Sequence, residues 1–151
     1  SVEAADKFVT DGTIVSTRGR SPREDFDYKA HRIGTWQLPL FVLIDGDSAS
    51  ASEIFAGAIR DHRRGLVIGQ RSYGKGSVQG IFPLGIAKAG LRLTTAKFYS
   101  PSGRAISLQG VEPNLTVRNV AKPVDRQVTS STEDRVFSAG IQAARGQVRQ
   151  R

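Results

Sequence analysis

The segment SASASE at positions 48–53 offers three serine hydroxyls as candidate nucleophiles. It follows an apolar run and precedes a stretch with helical periodicity, so Ser50 is expected where a strand meets a helix. The unpaired amides and the positive dipole end of a first helical turn favour a developing oxyanion, and the N–H of Ala51 is the candidate donor. This arrangement is the outline of a nucleophile elbow.

The same segment also fits a purely structural role. Ser50 and Glu53 have the spacing of a capping box, in which the two side chains satisfy free amides of the first helical turn. From the segment alone, this helix cap is the favoured interpretation of Ser50.

A serine nucleophile needs a base, and the two histidines are poor candidates. His62 lies beside Asp61 but about 18 Å along the same predicted helix from Ser50, at 1.5 Å per residue, so it cannot accept that proton. It is better explained as a solvated helix end. His31 lies in a polar segment near Asp27 and is given little weight as a catalytic group. The two histidines lack metal-ligand spacing, so neither a metal site nor a cofactor is expected.

Lys75 is the remaining candidate base, within the segment YGKGSVQ at positions 73–79. A lysine amine acts as a base near neutral pH only if its pKa falls from about 10.4 to about 7 or 8, usually through burial. The uncharged neighbours of Lys75 are compatible with burial. Gln79 can hold a neutral amine by a hydrogen bond if the chain bends at the glycines. The segment alone nevertheless favours a solvated turn lysine.

A phosphate-binding loop is a competing explanation of the same lysine. Residues 69–75 match GxxxxGK and follow a predicted strand. Gly76, however, replaces the Ser or Thr that would hold Mg²⁺, and the residues after it have a strand pattern. Without a helix N-terminus the phosphate cradle is missing, so nucleotide binding is not favoured.

The elements that must position these residues form an α/β pattern with mixed sheet pairing. Residues 18–36 are polar and aperiodic, which indicates a long loop, and residues 38–44 are continuously apolar, which indicates a strand buried on both faces. A helix is expected from Ala51, with its apolar positions at i, i+3, i+4, i+7 and i+8. The other predicted elements are the end of a helix near residues 2–9, strands at 13–17, 66–68, 78–84, 91–99 and 115–117, with a hairpin between the 78–84 and 91–99 strands, and a helix at 135–145.

Composition limits the remaining functional classes. The 151 residues suffice for one core, and their net charge of +8 is spread along the chain instead of clustered, which argues against nucleic-acid binding. The absence of cysteine excludes disulfides and a cysteine nucleophile. The longest apolar run falls far short of the roughly 20 residues that cross a bilayer. The sequence contains no methionine, and we expect it to belong to a longer protein.

Six ordered motifs together resemble the C-terminal processing (tail-specific) peptidases of family S41. The resemblance covers about residues 1–117, and it reverses the local interpretations given above. It implies a crotonase- or ClpP-like core of mixed sheet and helices that is incomplete in this chain. The motifs are the apolar strand, SASASE, DHRRGLVIG, YGKGSVQ, LRLTTAKFYSPSGRAI and GVEP.

The resemblance also assigns roles to residues. It implies that Ser50 is the nucleophile of a serine–lysine dyad, that Lys75 is the base and that Gln79 positions the lysine. It implies protein substrates with exposed, largely apolar C-termini, and an extracytoplasmic location in a bacterium, either periplasmic or membrane-associated. Residues 1–120 are then the C-terminal part of a catalytic domain, and residues 121–151 a linker and helix with a frayed tail.

Two departures from the family pattern limit these expectations. Asp45-Gly46-Asp47 stands where the family usually has asparagine and paired glycines, and the added charge either affects the lysine or faces solvent. The family's PDZ domain and the strand end that supplies the second oxyanion donor belong upstream of Ser1. Losing one such donor costs about 10²–10³ in rate, and missing strands expose sheet edges. We therefore expect this chain alone to be nearly inactive and to self-associate; a non-catalytic binding or scaffold module of the same fold is the alternative.

Overall fold

The computed structural model describes residues 1–85, 89–118 and 134–148. The chain forms an α/β fold, as predicted, with a 3₁₀ turn at Pro22–Glu24 between the first two strands. In chain order the elements are α1 (Val2–Asp6), β1 (Thr13–Gly19), β2 (Phe26–Lys29), β3 (Phe41–Ile44), α2 (Ala51–Asp61), β4 (Leu66–Gly69), β5 (Ser77–Pro83), β6 (Gly90–Tyr99), β7 (Leu115–Thr116) and α3 (Arg135–Val148).

The mixed pairing is divided between two sheets. One sheet is antiparallel with strand order β2-β1-β6-β5, and the other is parallel with order β3-β4-β7. The predicted hairpin is present, since β5 and β6 pair from Ser77 opposite Lys97 to Pro83 opposite Gly90. The parallel sheet requires a crossover, which α2 provides between β3 and β4.

The ends of β3 and β4 position the candidate site. Their register pairs Ile44 with Gly69, so both strands end at the same edge of the parallel sheet. Ser50 follows the first of these strands and Lys75 follows the second. Chain segments that leave the carboxyl ends of parallel neighbours meet at that edge, which is the usual place for a site in an α/β fold.

The core lies around α2, whose apolar face is buried on both sides. One cluster joins α2 to β1 and α1, and a second joins it to β3, β4 and the loop after α1. Ile59 and Val67 are completely buried in the second cluster. Helix α3 packs on β3 and β4, and a Cβ at Gly140 would lie 2.8 Å from the Leu43 side chain, so the helix approaches the strand closely.

Two predicted elements were wrong. The segment 18–36 is not one loop, because it contains the 3₁₀ turn and β2, which pairs with β1. The apolar run is not a strand buried on both faces: β3 begins only at Phe41, Leu38 is 67% exposed and Leu43 is 39% exposed. Pro39 explains the late start, because proline has no N–H to donate to a sheet.

The C-terminal boundary is only partly described. Helix α3 includes the predicted 135–145 helix, whereas the predicted linker at 121–133 and the tail at 149–151 lie outside the described residues. Among the described residues, no helix has the length and apolar character needed to cross a bilayer.

Candidate active site

Ser50 has an unusual backbone conformation at the entrance to α2. Its φ of 56° and ψ of −112° lie outside the regions that residues with a Cβ ordinarily adopt. The amides of Glu53 and Ile54 donate to the Ser50 carbonyl, at 3.0 and 3.1 Å, so the helix starts directly after it. Helix-capping residues normally have extended backbone angles, and strained residues concentrate at functional sites. A sharp turn of this kind between a strand and a helix has the outline of the nucleophile elbow that the sequence predicts.

The turn before Ser50 is closed by Asp45. One carboxylate oxygen of Asp45 accepts hydrogen bonds from the Asp47 amide (3.1 Å), the Ser48 amide (3.0 Å) and the Ser48 hydroxyl (2.9 Å). The Ser48 hydroxyl oxygen also accepts a bond from the Asp45 amide. Asp45 is one of the residues that differ from the usual family pattern. Its carboxylate binds groups within the connection between β3 and α2 and so shapes that connection.

Lys75 lies in the extended segment between β4 and β5, and its flanking glycines are required by close packing. Gly74 has a φ of +92°, and a Cβ there would lie 3.1 Å from the Leu108 backbone. A Cβ at Gly76 would come within 2.3 Å of the Ser107 nitrogen. The residues after Lys75 form β5 and not a helix, so this segment has no helix N-terminus to cradle a phosphate.

Glu53 joins the two segments that carry the candidate dyad. Its side chain is completely buried. Oε2 accepts hydrogen bonds from the amides of Ser50 and Lys75, each at 2.8 Å, so these two nitrogens lie no more than twice that distance apart. Oε1 accepts bonds from the Gly74 amide and the Ser72 hydroxyl, each at 2.6 Å. A buried carboxylate is stable only when such donors satisfy it.

Two further hydrogen bonds fix the same neighbourhood. The Tyr73 amide donates to the Ser48 carbonyl at 2.9 Å, which ties the lysine segment to the serine segment directly. The Ser72 hydroxyl oxygen accepts a 2.7 Å bond from the Val111 amide, which adds the loop before β7. The backbones that carry Ser50 and Lys75 are therefore held together at several points.

Sequence reasoning underestimated Glu53. It treated this residue only as the capping-box partner of Ser50, and that bond to the Ser50 amide is present. The available signal was its position among the small and apolar residues of a helix face that had to be buried. A charged residue there needs several donors, and the amides of the GKG segment are the donors it receives.

The side chains of Lys75 and Gln79 and the N–H of Ala51 have fewer contacts than Ser50 and Glu53. Lys75 and Gln79 are both exposed, which agrees with the solvated turn lysine that the segment alone favours and does not provide the burial that a lysine base usually has. Gln79 lies on β5 opposite Thr94, beside an irregularity in strand pairing, and within the described residues it makes no hydrogen bond to Lys75. Ala51 is the first residue of α2, so its N–H has no partner inside the helix.

Both histidines have structural contacts. His62 follows the last residue of α2, and its Nε2 lies 2.7 Å from the Thr13 carbonyl oxygen, which links α2 to β1. His31 contacts Asp6, with 3.2 Å between Nδ1 and Oδ2, instead of the nearby Asp27. Across the described ranges, no group of three or more carboxylate or imidazole side chains is arranged to hold a metal ion.

An open cavity of about 380 Å³ adjoins the nucleophile elbow. Its walls come from β3, the N-terminal part of α2 and α1. Most of the lining is aliphatic or aromatic, from Val42, Leu43, Ile44, Ala51, Phe55 and Ala4, with Ser1, Ser48 and Ser52 as its polar members.

Comparison with known protein families identifies the family of this chain. The model of peptidase family S41 matches residues 1–117. The chain belongs to peptidase family S41. That match includes the candidate residues Ser50, Ala51, Lys75 and Gln79.

Curated relatives and solved structures agree with the assignment. The S41 chain is 50% identical to a carboxy-terminal-processing protease of Bartonella bacilliformis over 119 residues, which cover 78% of this chain and 27% of that protein. It is 41% identical to the tail-specific protease of Haemophilus influenzae, over 72% of this chain and 16% of that protein. A photosystem II D1 C-terminal processing protease superposes with a TM-score of 0.70 at 33% identity, over 77% and 30% of the two chains. The chain thus spans less than a third of these three proteins.

Proposed function

We propose that Ser50 and Lys75 form the serine–lysine dyad of a C-terminal processing peptidase, to which residues 1–120 contribute the C-terminal part of the catalytic domain. The observation that carries the proposal is the positive φ of Ser50 at the start of α2. The amides of Ser50 and Lys75 on one oxygen of Glu53 support it. A capping box explains the bond from the Ser50 amide to Glu53, but it needs neither the positive φ of Ser50 nor the bond from the Lys75 amide.

The proposed chemistry follows from these positions. The neutral amine of Lys75 accepts the Ser50 hydroxyl proton as Oγ attacks a peptide carbonyl. The Ala51 N–H donates to the resulting oxyanion, with the dipole of α2 behind it. The protonated lysine then gives its proton to the leaving amine, and water hydrolyses the acyl-enzyme in a second cycle. Gln79 orients the Lys75 amine once the lysine turns towards Ser50.

The cavity beside the elbow supports an apolar substrate. Its largely aliphatic lining suits a hydrophobic side chain next to the scissile bond, which agrees with protein substrates that have exposed apolar C-termini. The named relatives process carboxyl termini. Two of them are bacterial proteins, and we propose an extracytoplasmic bacterial location, periplasmic or membrane-associated.

The exposure of Lys75 favours the alternative, in which this chain is a non-catalytic module of the same fold. A lysine that acts as a general base is normally sheltered from water beside its nucleophile, and the side chain of Lys75 is exposed. For the dyad to operate, bound substrate or a further part of a longer protein must cover the amine. A peptidase therefore has a reactive Ser50 hydroxyl, whereas a non-catalytic module does not.

Labelling by a fluorophosphonate, which reacts with activated serine hydroxyls, tests the dyad. In a longer protein that carries this chain, we expect labelling at Ser50 and cleavage of an unstructured protein from its apolar C-terminus. Both should be lost in Ser50→Ala and Lys75→Ala. Ser107→Ala is the matched control, because it removes a half-buried serine hydroxyl that is not part of the cavity lining. Full cleavage by Ser50→Ala would eliminate the dyad, whereas an unlabelled, inactive wild-type protein would favour the binding module.

A further inference from the structure

The segment between β2 and β3 presents apolar side chains to solvent from a fixed backbone. We call residues 30–38 the apolar loop. Ile33 is 93% exposed, Trp36 57% and Leu38 67%. Three large apolar side chains within six residues exceed the scattered exposure that is normal for a surface, and they indicate a contact site.

The exposure does not come from a loosely held loop. The Ala30 amide donates to the Gly12 carbonyl, and the Trp36 amide donates to the Lys7 carbonyl at 2.7 Å. Arg64 donates to the carbonyls of Trp36 and Leu38. The loop is thus attached at its beginning and at its end, and its apolar side chains are already displayed before any partner binds.

The charged residues within and next to the apolar loop in the sequence are all basic. Between Asp27 and Asp45 the chain has no acidic residue, whereas Lys29, His31 and Arg32 are basic. All three basic side chains are exposed. The nearest acidic contact is Asp6, which accepts hydrogen bonds from the His31 amide and approaches its ring. Hydrogen bonding by the His31 amide holds the pKa of Asp6 below its ordinary value.

We propose that the apolar loop docks on an anionic lipid surface. Tryptophan and aliphatic side chains insert at the boundary between headgroups and acyl chains, and Lys29 and Arg32 contact the acidic headgroups. A peptide partner would satisfy the apolar side chains, but it does not by itself explain the one-signed charge beside them. This property is independent of the proposed peptidase chemistry.

Trp36 provides a direct test because it is the only tryptophan in the chain. The 151-residue protein is mixed at low salt with vesicles of equal parts phosphatidylglycerol and phosphatidylcholine, or of phosphatidylcholine alone. We expect a blue shift of Trp36 emission, quenching by brominated acyl chains, and about tenfold tighter binding to the anionic vesicles, weakened by added salt. Unchanged emission and no sedimentation with anionic vesicles would overturn the proposal.

Paired variants separate the loop from other surfaces. Ile33→Ser with Leu38→Ser keeps the Trp36 reporter and should weaken binding about tenfold or more. Lys29→Glu with Arg32→Glu should remove the preference for anionic vesicles. Ile81→Ser with Leu84→Ser is the matched control, since it makes the same two substitutions at side chains of the β5–β6 hairpin that are 73% and 50% exposed. Loss of binding in the hairpin variant with full binding in both loop variants would refute the assignment.

Discussion

Glu53 decides the geometry of the site at the scale of single residues. Its carboxylate is the shared acceptor for Ser50, Ser72, Gly74 and Lys75. An amide side chain of the same size offers one acceptor oxygen and adds two donors. It cannot satisfy four donors that converge from two directions.

We therefore expect Glu53→Gln to destabilise the fold by about 1–3 kcal/mol, because it leaves buried donors without an acceptor. The loss should appear in urea unfolding. Amide hydrogen exchange at Lys75 should also become faster than the change in global stability explains. Glu112→Gln is the control, since Glu112 is exposed and lies 3.8 Å from Arg71. Equal exchange at Lys75 in wild type and variant would contradict this role of Glu53.

Ser50 stores backbone strain that a glycine would release. Strained residues with positive φ cost of order 1–3 kcal/mol, and glycine adopts such angles freely. Ser50→Gly should thus raise the free energy of unfolding by about 1 kcal/mol, whereas Ser50→Ala should not. In contrast, Ser52→Gly places glycine inside the helix and should lower it by about 1 kcal/mol. Thermal and urea unfolding measure all three, and a destabilised Ser50→Gly would argue against strain at the elbow.

At the scale of elements, Asp61 fastens the C-terminal end of α2 to the turn after β6. Its Oδ2 accepts hydrogen bonds from the Ser102 hydroxyl (2.7 Å) and amide (3.1 Å), and Arg104 approaches Oδ1 at 3.4 Å. Burial acts to raise the pKa of Asp61. Hydrogen bonds from Ser100 and Ser102 and the charge of Arg104 outweigh it, so the pKa lies below its ordinary value.

This pKa direction predicts how stability depends on pH. Because the folded carboxylate holds its proton less tightly than the unfolded one, Asp61 stabilises the fold above the unfolded pKa of about 4. Its contribution is lost as the pH falls through the lower folded value. Asp61→Asn should flatten the loss of stability below about pH 4, measured by urea unfolding across acidic pH. The exposed Asp11→Asn serves as the control, and an unaltered pH profile in Asp61→Asn would refute the prediction.

The sequence predicted elements whose signal is local. The period of α2 and the turn residues of the β5–β6 hairpin specify those elements directly, and both are present. It missed β2, although Phe26–Lys29 alternates aromatic and charged residues, because four residues inside a long polar segment are the shortest run in which such alternation can be recognised. It overextended β3 because the apolar run was given more weight than Pro39 within it, which has no N–H to donate to a sheet. The bonds from Arg64 to the carbonyls of Trp36 and Leu38 are tertiary contacts that the run does not reveal.

The sequence predicted which residues belong to the candidate site, but not the contacts that bring them together. Residue types and resemblance selected Ser50, Lys75, Gln79 and Ala51. The φ of Ser50 and the convergence of donors on Glu53 depend on tertiary contacts between segments about 20 residues apart, which no local pattern contains. The exposure of Lys75, in contrast, agrees with the local pattern of its segment, which favoured a solvated turn lysine.

At the scale of the whole molecule, the sheets have open edges. Within the described residues, β5 pairs only with β6, and Ile81 and Phe82 on this seven-residue strand are 73% and 46% exposed. Such an edge pairs readily with another chain, and a lysine on it prevents pairing. The expected self-association therefore involves β5.

Light scattering coupled to size-exclusion chromatography measures this association. We expect an apparent mass that rises with protein concentration in the wild type and stays near the 16.3 kDa of one chain in Ile81→Lys. Phe137→Lys adds the same charge at an exposed apolar position of α3, away from a strand edge, and should associate like the wild type. A monomeric wild type at all concentrations would contradict the expectation.

The connection of β3, α2 and β4 has a consequence for how the site forms. Ser50, Glu53 and Lys75 all lie within one β-α-β crossover and the segment that follows it, residues 41–75. Contacts that are close in sequence form with little loss of chain entropy and form early. All four donors to the Glu53 carboxylate belong to this span, so the carboxylate cluster needs no residue of β5, β6 or β7. The backbone of the site is therefore available as a folding nucleus around which the antiparallel sheet is added.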